Sequence, residues 1–197
     1  VLAALPAPQA PTRERLQALV KAPRFDVRAV AAGSADGAAH WKLHLDHWTV
    51  PVTEFASNDG TTGSAAVTGR GITGRGRSPS GPLSTAAPTT LLLADGGRAS
   101  AGEDVRRLLG DRRRVAALDP WYFGESALGQ RDFLFGLLVA ALGERPLGIQ
   151  VAQVTATARW LHARHGAPAE IVARGPRTSL DALVAAALEP GAIAAVQ

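Results

Sequence analysis

The stretch that most constrains this chain is Glu170-Ile171-Val172-Ala173-Arg174-Gly175-Pro176-Arg177-Thr178-Ser179-Leu180. Ile171, Val172 and Ala173 read as a short buried strand. Leu180, Leu183, Val184, Ala187 and Leu188 then recur at helical spacing. Gly175 opens a tight turn between the two. A strand that passes through a sharp turn into a helix lifts one turn side chain above the end of a parallel sheet.

The residues upstream supply that sheet. Thr90-Leu91-Leu92-Leu93-Ala94 is a predicted strand, closed by Asp95-Gly96-Gly97. Ser100 with Glu103 has the spacing of a capping box, and Val105, Leu108 and Leu109 continue as a helix that Gly110 ends. Val115 to Leu118 is the next strand, stopped by Asp119-Pro120. Strand, helix and strand within about 30 residues make a right-handed crossover onto a parallel neighbour. Phe133 to Leu142 is apolar nearly all round, so it is expected to be buried or covered by a partner. Gly148 to His165 is a longer helix with Val151, Val154, Ala158 and Leu161 on one face, and His162 and His165 at its surface end. After Pro190-Gly191, Ala192 to Val196 starts another strand.

The first third reads differently. Thr12 caps a short helix with Leu16, Leu19 and Val20 as its stripe, and Pro23 stops it. Phe25 to Ala32 is a predicted strand, closed by Gly33 to Gly37. Trp41, Leu43 and Leu45 alternate with Lys42, His44 and Asp46, the period of a half-buried sheet. Trp48, Val50 and Val52 continue through Pro51, which suggests an edge strand. Ser57 to Pro88 is rich in Gly, Ser, Thr, Pro and Arg without a period, and reads as a flexible loop or linker. Three regions result: residues 1–56, a helix and hairpin; 57–88, the linker; 89–197, an incomplete α/β core.

Composition narrows the chemistry. There is no cysteine, so disulfides and thiolate metal sites are excluded. His40, His44 and Asp46 are metal-ligand types, but one strand spreads them too far apart for a single ion, and no metal or cofactor is expected. Net charge is +4, carried almost entirely by arginine. No nucleic-acid reading motif accompanies that charge, so specific nucleic-acid binding is not expected; Arg70 to Arg77 and Arg112 to Arg114 leave room only for charge-driven polyanion contact. No apolar run approaches the roughly 20 residues of a membrane span. The chain starts at Val1 without methionine, which suggests a mature form or a fragment. Its Ala/Pro-rich start leans toward a secreted or periplasmic protein.

The regular half resembles the α/β-hydrolase superfamily, nearest to its acetyl-xylan-esterase-like and peptidase-like branches. Four parts, from Thr89 to Gln197, carry the resemblance. Asp95-Gly96-Gly97 stands where that family often has His-Gly-Gly. Asp119-Pro120-Trp121-Tyr122-Phe123-Gly124-Glu125-Ser126 resembles its Asp-x-x-G-x-G-x-S turn. Trp160-Leu161 resembles a Trp-Leu pair on the following helix. Gly175 to Ser179 resembles the nucleophile elbow G-x-S-x-G. The resemblance implies a partial hydrolase-like parallel sheet flanked by helices, with the N-terminal helix and hairpin as an appendage. It implies acetyl-esterase chemistry on a small ester or an acetylated carbohydrate, with oxyanion amides from Gly96, Gly97 and Thr178. Asp119, Trp121, Tyr122 and Phe123 would line its pocket; the three aromatic residues serve equally as core under a further part of such a fold.

Two departures bear on activity. Arg177 holds the nucleophile position, and a guanidinium that stays protonated cannot attack a carbonyl. The family runs Ser, acid, His in chain order, but all five histidines here (His40, His44, His47, His162, His165) precede the elbow. Ser179 and Thr178 are the hydroxyls in the motif that could substitute for the nucleophile, with Ser179 the candidate. Thr178-Ser179-Leu180-Asp181 is also a capping-box pattern, so either hydroxyl equally serves as an N-cap. Asp119 and Glu125 form a second candidate acid–base pair, against which stands a turn-capping role for Asp119. The alternative to an esterase is a non-catalytic scaffold that docks onto another domain, another chain or itself through Phe133 to Leu142 and the strand edge after Val196.

Overall fold

A computed structural model describes residues 12–56 and 87–197. Most of the linker reading, from 57 to 86, lies outside the described residues, as do Arg70, Arg75 and Arg77.

Twelve regular elements follow in order: α1 (Arg13–Val20), β1 (Arg28–Ala35), β2 (Ala38–Leu45), β3 (Trp48–Phe55), β4 (Thr89–Ala94), α2 (Gly102–Gly110), β5 (Arg114–Leu118), α3 (Asp132–Ala141), α4 (Pro146–His165), β6 (Ala169–Arg174), α5 (Pro176–Leu188) and β7 (Ile193–Val196). The strands form one sheet in the order β1-β2-β3-β5-β4-β6-β7. Strands β5, β4, β6 and β7 are parallel, as the crossover spacing predicts, and β1, β2 and β3 join them antiparallel through the β3–β5 ladder. The hairpin therefore extends the main sheet.

The strand period sorts the core into two layers. Leu91 and Leu93 of β4 pack with Leu118, Val151, Leu161 and Ile171 on the face covered by α1, α4 and α5. Leu92 and Ala94, one residue out of phase, pack with Val105, Leu108 and Val172 under α2. A strand with apolar residues on both faces is what a helix-covered parallel sheet requires.

Several local expectations are corrected. Pro51 lies in an interior strand, between β2 and β5. Its carbonyl accepts from the Asp119 amide, just past the last β3–β5 pair at Val52 and Leu118, so its missing N–H faces the point where that ladder has ended. Strand β1 runs through Gly33 to Ala35, and the turn is made at Asp36-Gly37. Ser100 does not cap α2: it sits in the turn Arg98–Ser100 and donates its hydroxyl to the Gly97 carbonyl. Thr12 does cap α1, accepting from the Arg15 amide. Helix α3 is not buried, since Phe133, Leu134, Phe135, Leu137 and Leu138 are all exposed. His165 is not a surface residue: its ring nitrogen lies 2.6 Å from Glu54, a buried carboxylate that also meets Arg164 and Arg114. His40 and His44 hydrogen-bond the cross-strand hydroxyls of Thr53 and Thr49. Among the described residues no single helix is long and apolar enough to cross a membrane.

Candidate active site

The parallel strands point their C-terminal ends toward one edge of the sheet. Asp95 follows β4, Asp119 follows β5 and Gly175 follows β6, so these three residues define the edge where open α/β sheets bind ligands.

At the β6–α5 turn, Gly175 has φ 110°, a conformation that side chains disfavour, and a Cβ there would overlap the Asp95 carboxyl. The glycine is required twice, by its dihedral and by its neighbour. Helix α5 begins directly at Pro176, with Gly175 as its N-cap residue. Thr178 and Ser179 are thus inside the first turn, and neither is the cap. The capping group comes from another strand. Asp95 accepts the Arg177 amide at 3.2 Å, and the Thr178 amide and hydroxyl at 2.8 and 2.9 Å. Burial pushes the Asp95 pKa up, but these hydrogen bonds and the Arg177 charge outweigh it and hold the carboxyl below its ordinary value.

This geometry matters for the amides that oxyanion chemistry needs. The Thr178 N–H, which the resemblance would place just after a nucleophile, is given to Asp95. The Gly97 N–H is given to the Ala94 carbonyl. Gly96 is exposed. An anion already sits at the N-terminus of α5, supplied by the chain itself. Arg177 is exposed, and its guanidinium carbon lies 4.4 Å above the Phe123 ring. Ser179 is half-buried, with its amide bonded to the Gly175 carbonyl.

Asp119 is 1% exposed and fully engaged. It accepts the Arg98 amide at 2.6 Å, the Arg98 Nε at 3.0 Å and the Glu125 amide at 3.0 Å, while its carbonyl accepts the Ser126 hydroxyl. Arg98 also donates to Thr53 and pairs with Glu125. A Cβ on Gly124 would overlap this carboxylate, and one on Gly97 would overlap Gly124, so the turns after β4 and β5 are pressed together around Asp119. Asp119 and Glu125 are thus in one network, joined through Arg98.

The aromatic run divides. Trp121 is held from α4 on both sides, its amide donating to Gln153 and its carbonyl accepting from Gln150. It stacks on Tyr122 at 4.2 Å and tilts against Trp48 at 5.1 Å. Trp121, Trp48, Gln153, Glu125 and Ser126 line a cleft of about 310 Å³. Phe123 is buried beneath Arg177. Tyr122 has φ 74° and its hydroxyl lies against Gly136 of α3.

No histidine is brought to the elbow. His40 and His44 are on β2, and His165 and His162 lie in the last turn of α4, at the opposite edge of the sheet. His47 is in the β2–β3 turn, and β3 is three strand spacings, about 14 Å, from β6. Sequence reasoning missed Asp95 as the cap, Arg98 as the clamp, and Asp181. Asp181 is buried within α5 with one oxygen unpartnered; burial pushes its pKa up to about 7, Arg177 working against the shift and Asp95 with it. Gln150 and Gln153, three residues apart among the mostly small and apolar buried residues of α4, are the readable signal for the Trp121 cradle.

No protein-family model and no curated protein sequence matches this chain. Among solved structures it is similar to a "putative acetyl xylan esterase" from Bacteroides fragilis, with 12% identity and a TM-score of 0.67 over 93% of this chain and 50% of that one. It is also similar to an epoxide hydrolase from an endophytic Streptomyces, with 20% identity and a TM-score of 0.50 over 82% of this chain and 37% of that one. The likeness is one of fold: a hydrolase-like α/β architecture with a mixed, partly parallel sheet. The chain spans about half the length of the first structure.

Proposed function

We propose that this chain is an acetyl-xylan-esterase-like α/β-hydrolase unit whose own residues do not assemble a Ser–His–acid centre, and that it acts as a non-catalytic scaffold of hydrolase descent. The observation that carries this reading is the closed elbow. Arg177 stands at the nucleophile position, and the Thr178 amide that would stabilise an oxyanion donates to Asp95 instead. A hydrolase centre needs those amides free and a histidine within hydrogen-bond reach of a hydroxyl. Ser179 is two residues past the nucleophile position, and the nearest histidine-bearing turn on the same edge is three strands away.

Where groups outside this chain complete a site, the chemistry that the remaining features support is hydrolysis of a small ester or an acetylated carbohydrate. The Trp48–Trp121 cleft would hold the sugar or acyl face. The test is hydrolysis of a short-chain aryl acetate by the purified chain beside its Ser179→Ala variant. The expected result is no turnover above buffer for either protein. Turnover that disappears in the variant would overturn the proposal and make Ser179 the nucleophile.

A further inference from the structure

Helix α3 presents an apolar surface that no described element covers. Five large side chains of the helix, Phe133, Leu134, Phe135, Leu137 and Leu138, and Leu142 just past its end are between 45% and 76% exposed. On a helical wheel, among the described side-chain positions, only Gly136 and Val139 turn inward, so more than half of the circumference faces outward. The exposed apolar area of these six side chains is on the order of 600 Å², at the upper limit of the largest patch that a monomer normally carries.

We propose that α3 is a self-association surface, occupied by α3 of a second copy of this chain about a two-fold axis. The helix carries no charge from Phe133 to Leu142, so two copies meet without burying a charge or opposing like charges. Complete burial of the patch on both copies would remove about 1,200 Å², the lower bound of stable protein interfaces. Leu134, Leu138 and Leu142 repeat at every fourth residue, and Phe133, Leu137 and Ala141 form the adjacent row, giving ridges that interdigitate with their own copy. A membrane surface fits less well. Interfacial helices pair an apolar face with a basic one, and this helix is apolar on every side and half the length of a span.

The test uses the full chain, by sedimentation equilibrium and by cross-linking. The expected mass is twice 20.4 kDa. Because the chain has no cysteine, Leu138→Cys introduces a single thiol, and a short bismaleimide should join two copies there but not through Arg106→Cys on α2. Leu137 and Leu138 are 64% and 57% exposed in the monomer, so Leu137→Glu/Leu138→Glu should leave the circular dichroism unchanged and weaken the dimer at least about tenfold. A monomer at all concentrations overturns the proposal. So does a dimer that ignores the glutamates or does not cross-link at residue 138. Flotation of the wild type with phosphatidylcholine vesicles in place of dimerisation would assign the patch to lipid and overturn it too.

Discussion

A carboxylate that caps a helix and a carboxyl buried inside the same helix respond to pH with opposite signs. Asp95 has a folded pKa below its unfolded value, so the stability it contributes is complete above the unfolded pKa and is lost as pH falls through the folded one. Asp95→Ala removes the acceptor for two amides and a hydroxyl, and should cost about 1–2 kcal/mol at pH 7, with the difference fading in acid. Asp181 has its folded pKa raised to about 7. The unfolded chain therefore gives up this proton first, and the folded state loses stability as pH rises from about 4 to 7, then stays level. Three pKa units correspond to roughly 4 kcal/mol as an upper bound. Asp181→Asn should be little changed in stability at pH 4 and more stable than the parent by about 2–4 kcal/mol at pH 8. Urea unfolding at the two pH values checks both variants; a difference for Asp181→Asn that is constant with pH would contradict the assignment.

At the scale of elements, the C-terminal edge of the parallel strands is fixed by two turn contacts. Asp119 ties the turn after β4 to the turn after β5 through Arg98, and is itself buried with no room beside Gly124. Asp119→Ala leaves the Arg98 guanidinium, 13% exposed, without its principal partner and should cost about 3–5 kcal/mol. Glu125→Ala removes an exposed carboxylate from the same guanidinium and should cost less than about 1 kcal/mol. The β6–α5 turn depends on Gly175 in the same way. Gly175→Ala meets both an unfavourable dihedral and the Asp95 carboxyl, and should lower Tm by several degrees, roughly 4–8 °C per kcal/mol lost in a small domain and less in a larger one. Differential scanning calorimetry of the three variants separates a turn held by Asp119 from one held by surface charge.

For the whole molecule, what was legible in the sequence was whatever depends on neighbours along the chain. Leu91 to Leu93, Val105 with Leu108, and Ile171 to Ala173 read correctly as strand, helix and strand because period and length are local properties. Pro51 misled because an edge is a property of the sheet, and the partner strand β5 lies some 60 residues further on in the chain. His165 misled because Glu54, which meets it, belongs to another strand. Asp95 could be read as part of a turn, but its hold on α5 spans 83 residues and no local pattern announces it. Exposure of α3 was similarly invisible, since an apolar helix has the same sequence whether it is covered or not. Whether this hydrolase-like fold carries an activated serine of its own is read by intact-mass spectrometry after treatment with a serine-directed organophosphonate. Such a reagent reports an activated hydroxyl whatever the substrate. The expected result is an unmodified mass. A single adduct that is lost in Ser179→Ala would contradict it.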